Sequence, residues 1–141
     1  LAQQLLKVDA KNLKTLDLNA EIALIDGDVQ RAAELLREAV QVDPFDHGAR
    51  TRLAQVAGRL GLEDEHNQQS ARAKELQDLW QKFSDLQVDA INRPTDANLR
   101  LQIGSLARQL GKEELALSWF KAAAAIDPSM ATTVQSLTQP N

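Results

Sequence analysis

Catalysis needs groups that lose or accept protons, donate an electron pair or hold a metal, and this chain offers few of them at workable spacing. Its only histidines are His47 and His66, and it has no cysteine. Glu63, Asp64, Glu65 and His66 form the nearest cluster of such groups. The cluster supplies carboxylates and one imidazole, but no second histidine at metal-binding spacing. Acidic residues at the start of a helix are already accounted for by the helix dipole and by capping, so the cluster has a structural explanation. His47 stands at another helix start and reads as solvent-facing. There is no glycine-rich phosphate loop, no G-x-S-x-G and no cysteine nucleophile. The reading is therefore that the chain is not an enzyme, with no catalytic residues, no metal and no cofactor.

What remains for side chains to do is recognition, and composition narrows the partner. With 141 residues, 43% of them hydrophobic and 26% charged, the chain suits one globular domain. A net charge of -4 argues against nucleic acid, whose phosphates call for a basic surface, and gives no reason to expect an anionic membrane surface. No apolar run approaches the roughly 18 residues of a membrane-spanning helix, and no signal peptide is visible. The absence of cysteine excludes disulfides but fits any compartment, so the expectation is a soluble protein, cytoplasmic or periplasmic. The opening at Leu1 reads as mid-helix, as in a piece excised from a longer protein whose targeting signals lie elsewhere.

The elements that would position a recognition surface are clearest from Ala97 to Pro128. Leu99, Ile103, Leu106, Ala107 and Leu110, then Leu115, Ala116, Trp119, Phe120, Ala123 and Ile126, recur at helical spacing on either side of Gly111. This describes two amphipathic helices folded back on each other. Only small side chains fit where helix axes approach to about 8 to 10 Å, so Gly104, Ala107, Ala116 and Ala123 are the expected contact, with Phe120 beside them. Asp127-Pro128 ends the second helix, because the residue before a proline is pushed out of the helical region.

Gly104, Ala107, Gly111, Ala116, Phe120, Ala123 and Pro128 resemble the signature of the tetratricopeptide repeat, a helix-turn-helix unit of about 34 residues. The same offsets recur at Ala20, Ala23, Gly27, Ala32, Leu36, Ala39 and Pro44. There, helices are expected over Leu13 to Ile25 and Val29 to Val42, with Gly27 in the turn and Asp28 as the cap. Leu1 to Asp9, with Leu5, Leu6 and Val8 on an apolar face, resembles the second half of a preceding unit closed by Asp9-Ala10. Between the two good repeats the pattern departs. Asp46 can cap a helix from about His47 to Leu60, but His66 stands where a small residue is expected. Pro44 and Pro128 lie 84 residues apart, 16 more than two periods of 34. From Glu63 to Asn92 there is neither glycine nor proline, so the extra residues are expected in one over-long helix.

The resemblance implies an all-α, right-handed superhelical stack of antiparallel helix pairs. The units are a partial repeat over 1–12, a repeat over 13–46, a degenerate repeat over 47–96, a repeat over 97–130 and a capping tail over 131–141. In the tail, Met130, Val134 and Leu137 can form a short covering helix. It also implies a protein-interaction module that binds a peptide or protein partner in a concave groove lined by the first helix of each unit. Carried onto this sequence, the groove positions are Lys14, Asp17, Glu21 and Leu24, then Thr51 and Gln55, then Asn98, Leu101, Ser105 and Arg108.

The best-known subfamily grips a chaperone's C-terminal carboxylate with lysines, asparagines and an arginine. Here Asp17, Glu21, Arg52, Asn98 and Gln102 occupy those places. Asp17 and Glu21 would repel such a ligand, which argues against it. The long helix offers a competing surface. Leu76, Leu79, Phe83, Leu86 and Ala90 form a narrow apolar seam, widened by Trp80 and Ile91, while Lys74, Asp78 and Lys82 form charge pairs on another face. Packing within the chain is the plainer role for the seam. The alternative is self-association as a homodimer through Leu76, Leu79, Trp80 and Phe83.

Overall fold

The computed structural model describes residues 2–139, with side chains described from residue 12 onward. Helices occupy Ala2–Ile25 (α1), Val29–Val42 (α2), His47–Arg59 (α3), Glu63–Asn92 (α4), Ala97–Gln109 (α5) and Glu113–Ile126 (α6). A 3-10 turn over Pro128–Met130 leads into Ala131–Thr138 (α7). Among the described residues there is no strand, and the fold is the all-helical repeat architecture that the sequence leads one to expect.

Local chemistry sets the boundaries. Gly27, Gly61 and Gly111 adopt φ of 80°, 73° and 76°, and each follows the first helix of a pair. This left-handed residue lets the next amide reach back over the helix end. Asp28 N–H donates to Ala23 O at 2.8 Å, Leu62 to Ala57 at 2.9 Å and Lys112 to Ala107 at 2.9 Å, which satisfies carbonyls the helix end would leave bare. Carboxylates start the next helices. Asp28, Asp46 and Asp96 accept from the amides of Arg31, Gly48 and Leu99 at 3.1, 3.0 and 3.0 Å. The turns between pairs carry a second brace. Arg50 Nε donates to Pro44 O at 2.8 Å, and Arg100 Nη1 donates to Arg93 O at 3.1 Å and Asp96 O at 3.0 Å.

At the N-terminus the expected break is missing. α1 runs unbroken through Asp9-Ala10, although Asp9 aligns with the aspartate of the later Asp-Pro pair. Without a proline, nothing there removes a helical amide or restricts the preceding residue, and alanine is the best helix former. The apolar positions Leu5, Leu6 and Val8, on which the partial repeat was read, lie outside the residues whose side chains are described. The over-long helix forms as expected, 30 residues from Glu63 to Asn92.

The chain groups into two compact units, Leu1–Leu76 and Gln77–Asn141. In the first, Ala20, Ala23, Ala32, Ala33, Leu35, Leu36, Leu53 and Val56 form one buried cluster joining α1, α2 and α3. The start of α4 is held to α2 by Arg37, whose Nε and Nη2 donate to Glu65 at 2.8 and 2.7 Å. Arg37's hydrogen bond holds the Glu65 carboxyl below the usual carboxylate range, against an opposing push from partial burial. His66 lies against α3, where Gly58 has no side chain to obstruct it. A Cβ on Gly58 would stand 3.2 Å from His66 Nδ1. That nitrogen is 2.7 Å from Ala54 O, and since a carbonyl only accepts, Nδ1 carries the proton. The small residue expected at position 66 has in effect moved to its neighbour across the interface.

In the second unit, Gly104, Ala107, Ala116, Phe120 and Ala123 are all buried between α5 and α6. A Cβ on Gly104 would stand 2.5 Å from Phe120 Cε1 and 2.7 Å from its Cδ1, closer than packed atoms allow. At the matching positions of the first unit the pair is Ala20 with Leu36, a larger residue against a smaller one. Gly104→Ala is therefore expected to destabilise by about 1 to 3 kcal/mol through overpacking. The double variant Gly104→Ala/Phe120→Leu should lie closer to wild type in urea unfolding than either single variant.

The Arg37–Glu65 pair predicts an acid-sensitive component of stability. Because the folded carboxyl titrates below its unfolded value, its contribution is present above the ordinary carboxylate range and disappears as pH falls through the folded value. Denaturation of wild type and Glu65→Gln from about pH 6 to about pH 3 should show the gap between them closing on acidification. A gap independent of pH would deny the pair that role.

Candidate functional site

The first-helix positions expected to form a recognition surface fall in both units, and the structure treats them differently. In the first unit, Lys14, Glu21, Thr51 and Gln55 are exposed. Asp17 is committed to Arg52, whose Nη2 donates to its Oδ1 at 2.8 Å, bridging α1 and α3. Thr51 Oγ1 donates to His47 O at 2.8 Å. Leu24 does not stand free in a groove: it packs against the buried cluster. His47, expected to face solvent, is half-buried.

In the second unit, Asn98, Leu101 and Ser105 come together along one open groove of about 600 Å³. Gln102, Leu106 and Gln109 complete the α5 side, Lys82 and Leu86 of α4 form a wall, and Leu137 of α7 contributes from the tail. The lining is aliphatic at Leu86, Leu101, Leu106 and Leu137 and otherwise made of amides, a hydroxyl and one ammonium group. Enclosed sites for small molecules bury most of their ligand, whereas this groove is open to solvent. Its form suits a chain segment laid across it.

Arg108, the remaining candidate, is not a free groove residue. It donates to Glu113 through Nε at 3.0 Å and Nη2 at 2.7 Å, and Nη2 also donates to Leu137 O at 2.6 Å. Its guanidinium lies 5.0 Å from the centre of the Phe120 ring. The Glu113 hydrogen bond raises the guanidinium's pKa further. Arg108 thus ties α7 to the α5–α6 hairpin, a role invisible to a register that places it on the first-helix face.

The seam offered for self-association is occupied from within. Leu76 and Phe83 are 0% and 3% exposed, so neither is available to another chain. Leu79 and Trp80 are half-buried. Trp80 meets Phe83 edge-on, with ring centres 5.7 Å apart, and the Lys112 ammonium sits 5.2 Å from the Trp80 ring centre. The charge pairs expected among Lys74, Asp78 and Lys82 are not made. The ion pair recorded within α4 is Arg72–Glu75 at 3.0 Å.

Of the groove's lining, the candidate positions leave out Lys82 and Leu86 on α4, Leu106 and Gln109 on α5 and Leu137 on α7. The first two lie on the second, over-long helix, and its length was the available signal that it could wall a neighbouring surface. Among the described residues, no three His, Asp or Glu side chains are placed to share a metal ion. None of the described helices is long and apolar enough to cross a membrane.

Comparison with known proteins follows the same register. Residues 97–130 match the tetratricopeptide repeat family model. Over 132 residues the chain is 32% identical to the DnaJ homolog subfamily C member 7 homolog of Schizosaccharomyces pombe. The match covers 92% of this chain and 27% of that protein, so the chain spans about a quarter of its relative's length. Among solved structures, the Yersinia enterocolitica type III secretion translocator chaperone SycD is 15% identical with a TM-score of 0.45, covering 96% of this chain and 93% of that one. The N-terminal domain of stress-induced protein-1 from C. elegans is 18% identical with a TM-score of 0.43, covering 93% and 97%.

Proposed function

From the premise that this chain belongs to the tetratricopeptide repeat family, we propose that it is a non-catalytic interaction module that binds a peptide or protein segment in the groove of its second unit. The observation carrying this reading is the groove itself, where Asn98 and Ser105 stand with Leu101, Leu106 and Leu137, and neither polar side chain is held by a hydrogen bond among the described residues. The first unit supports the reading less. Its matching face carries Asp17 paired to Arg52, an exposed Glu21 and a partly buried Leu24.

An array of randomised octapeptides tests the proposal. Leu101→Asp replaces an apolar contact of the groove by a charged one that a bound peptide would have to desolvate, and is expected to reduce binding of selected peptides by about tenfold or more. Unchanged far-ultraviolet circular dichroism would show that the fold is intact. If no bound peptide depends on Leu101, the groove is not the binding surface.

Self-association through Trp80 is the competing function. It is the weaker reading, because half of its four-residue seam is core. Light scattering of wild type and Trp80→Asp is expected to report the same monomeric mass; a dimer dissociated by the substitution would reverse the order of the two.

A further inference from the structure

The side of α1 that the first unit leaves uncovered is aliphatic. Leu18, Ile22 and Ile25 are 57%, 48% and 84% exposed, and their spacing of four and three residues puts them on one face. Ile22, at the centre of the stripe, stands about 140° round the helix from Asp17 and about 160° from Leu24. Those two residues meet Arg52 of α3 and the buried cluster, so the stripe is turned away from both contacts. The later first helices do not share it. At the matching register α3 carries Arg52, Val56 and Arg59, and α5 carries Gln102, Leu106 and Gln109. In both, the middle residue is buried and the residues on either side are polar. On α1 all three are aliphatic and open to water, and covering them is favourable.

Beside Ile22 the hairpin opens into a notch of about 260 Å³, with Ala23 and Leu35 as apolar lining and Asp26, Asp28 and Arg31 at the turn. Arg31 is answered by Glu34 at 3.2 Å, and Asp28 Oδ1 accepts from the Arg31 amide. Asp26 is exposed, and its carboxylate has no partner among the described residues. It follows the C-terminal end of α1, where the helix dipole is negative. That last turn holds no basic residue, whereas α3 and α5 end with Arg59 and Arg108. This corner therefore attracts a cation. On the stripe's other flank Lys14 and Glu21 are both exposed and of opposite sign, which leaves that balance unchanged.

The backbone of a partner decides its form. The α1 and α2 amides are committed to their own helices, and Asn19 is the neutral polar side chain lining the notch. An extended strand would leave its N–H and C=O groups unmatched along the stripe. A helix satisfies its own backbone and seats a ridge of side chains on Leu18, Ile22 and Ile25. We propose that this face of the first unit docks an amphipathic helix of a partner protein, with aliphatic residues on the stripe and a Lys or Arg against Asp26. It is a second interaction surface and does not rest on the groove reading.

A displayed library of helical peptides of about 18 residues tests it, with leucines fixed three and four apart and the flanking positions randomised among Lys, Arg, Glu and Gln. Peptides retained by the wild-type chain should be enriched in Lys or Arg. Ile25→Asp should weaken them about tenfold or more, Asp26→Lys should weaken them and shift selection towards Glu, and Leu101→Asp should leave them unchanged. Ile25 and Asp26 are exposed, and circular dichroism would confirm that both variants fold. The proposal is overturned if no peptide is retained, or if those retained lack basic enrichment or ignore Ile25→Asp. Binding abolished by Leu101→Asp would also overturn it, by assigning the peptides to the groove. So would a dimer in light scattering that Ile25→Asp dissociates, since the occupant would then be a second copy.

Discussion

The constraint beneath everything else is the distance between paired helices. Where Gly104 faces Phe120, one added methyl group would lie 2.5 Å from a ring carbon, so the α5–α6 separation is set by the absence of a side chain. Ala107, Ala116 and Ala123 continue that contact. The first unit solves the same problem with Ala20 and Leu36, sharing the volume differently. Interiors pack at nearly crystalline density, so a tight contact at one place obliges a complementary choice across from it. Such pairs fix how the helices meet and hence which faces they leave outside.

The middle of the chain shows the same rule surviving a broken signature. His66 occupies a small-residue position, and Gly58 on α3 takes over the requirement. The imidazole then completes a hydrogen bond to Ala54 O, which ties it to α3. The 30-residue helix that follows buries Ala73, Leu76, Phe83 and Ala90, so its length is stabilised by an apolar stripe within the chain.

Electrostatics divides the two first-helix faces more than shape does. On the first unit, Asp17 and Arg52 satisfy each other, and Arg37 with Glu65 joins α2 to α4, so charge is spent on holding helices together. On the second, Arg108 is held by Glu113 and by a carbonyl of α7, which leaves Lys82 as the lone charge along an otherwise neutral groove.

The sequence by itself determined the helices, their turns and the small-residue contacts. Those depend on chemistry within a few residues: a glycine that tolerates positive φ, an aspartate that caps, a proline that stops, an alanine at a fixed offset. It failed locally at Asp9-Ala10, where a boundary was inferred from register without a breaking residue, and at Lys74, Asp78 and Lys82, whose spacing suggested charge pairs that do not form. Tertiary structure alone decided which face residues are free. Arg108 is claimed by a carbonyl 29 residues away, Asp17 by an arginine 35 away, and Leu76 and Phe83 by the core. Lys82 and Leu86 join α5's groove only through folding. Periodicity places a side chain on a face, but long polar side chains reach several ångströms beyond their register, and what they find there is set by residues far away in the chain.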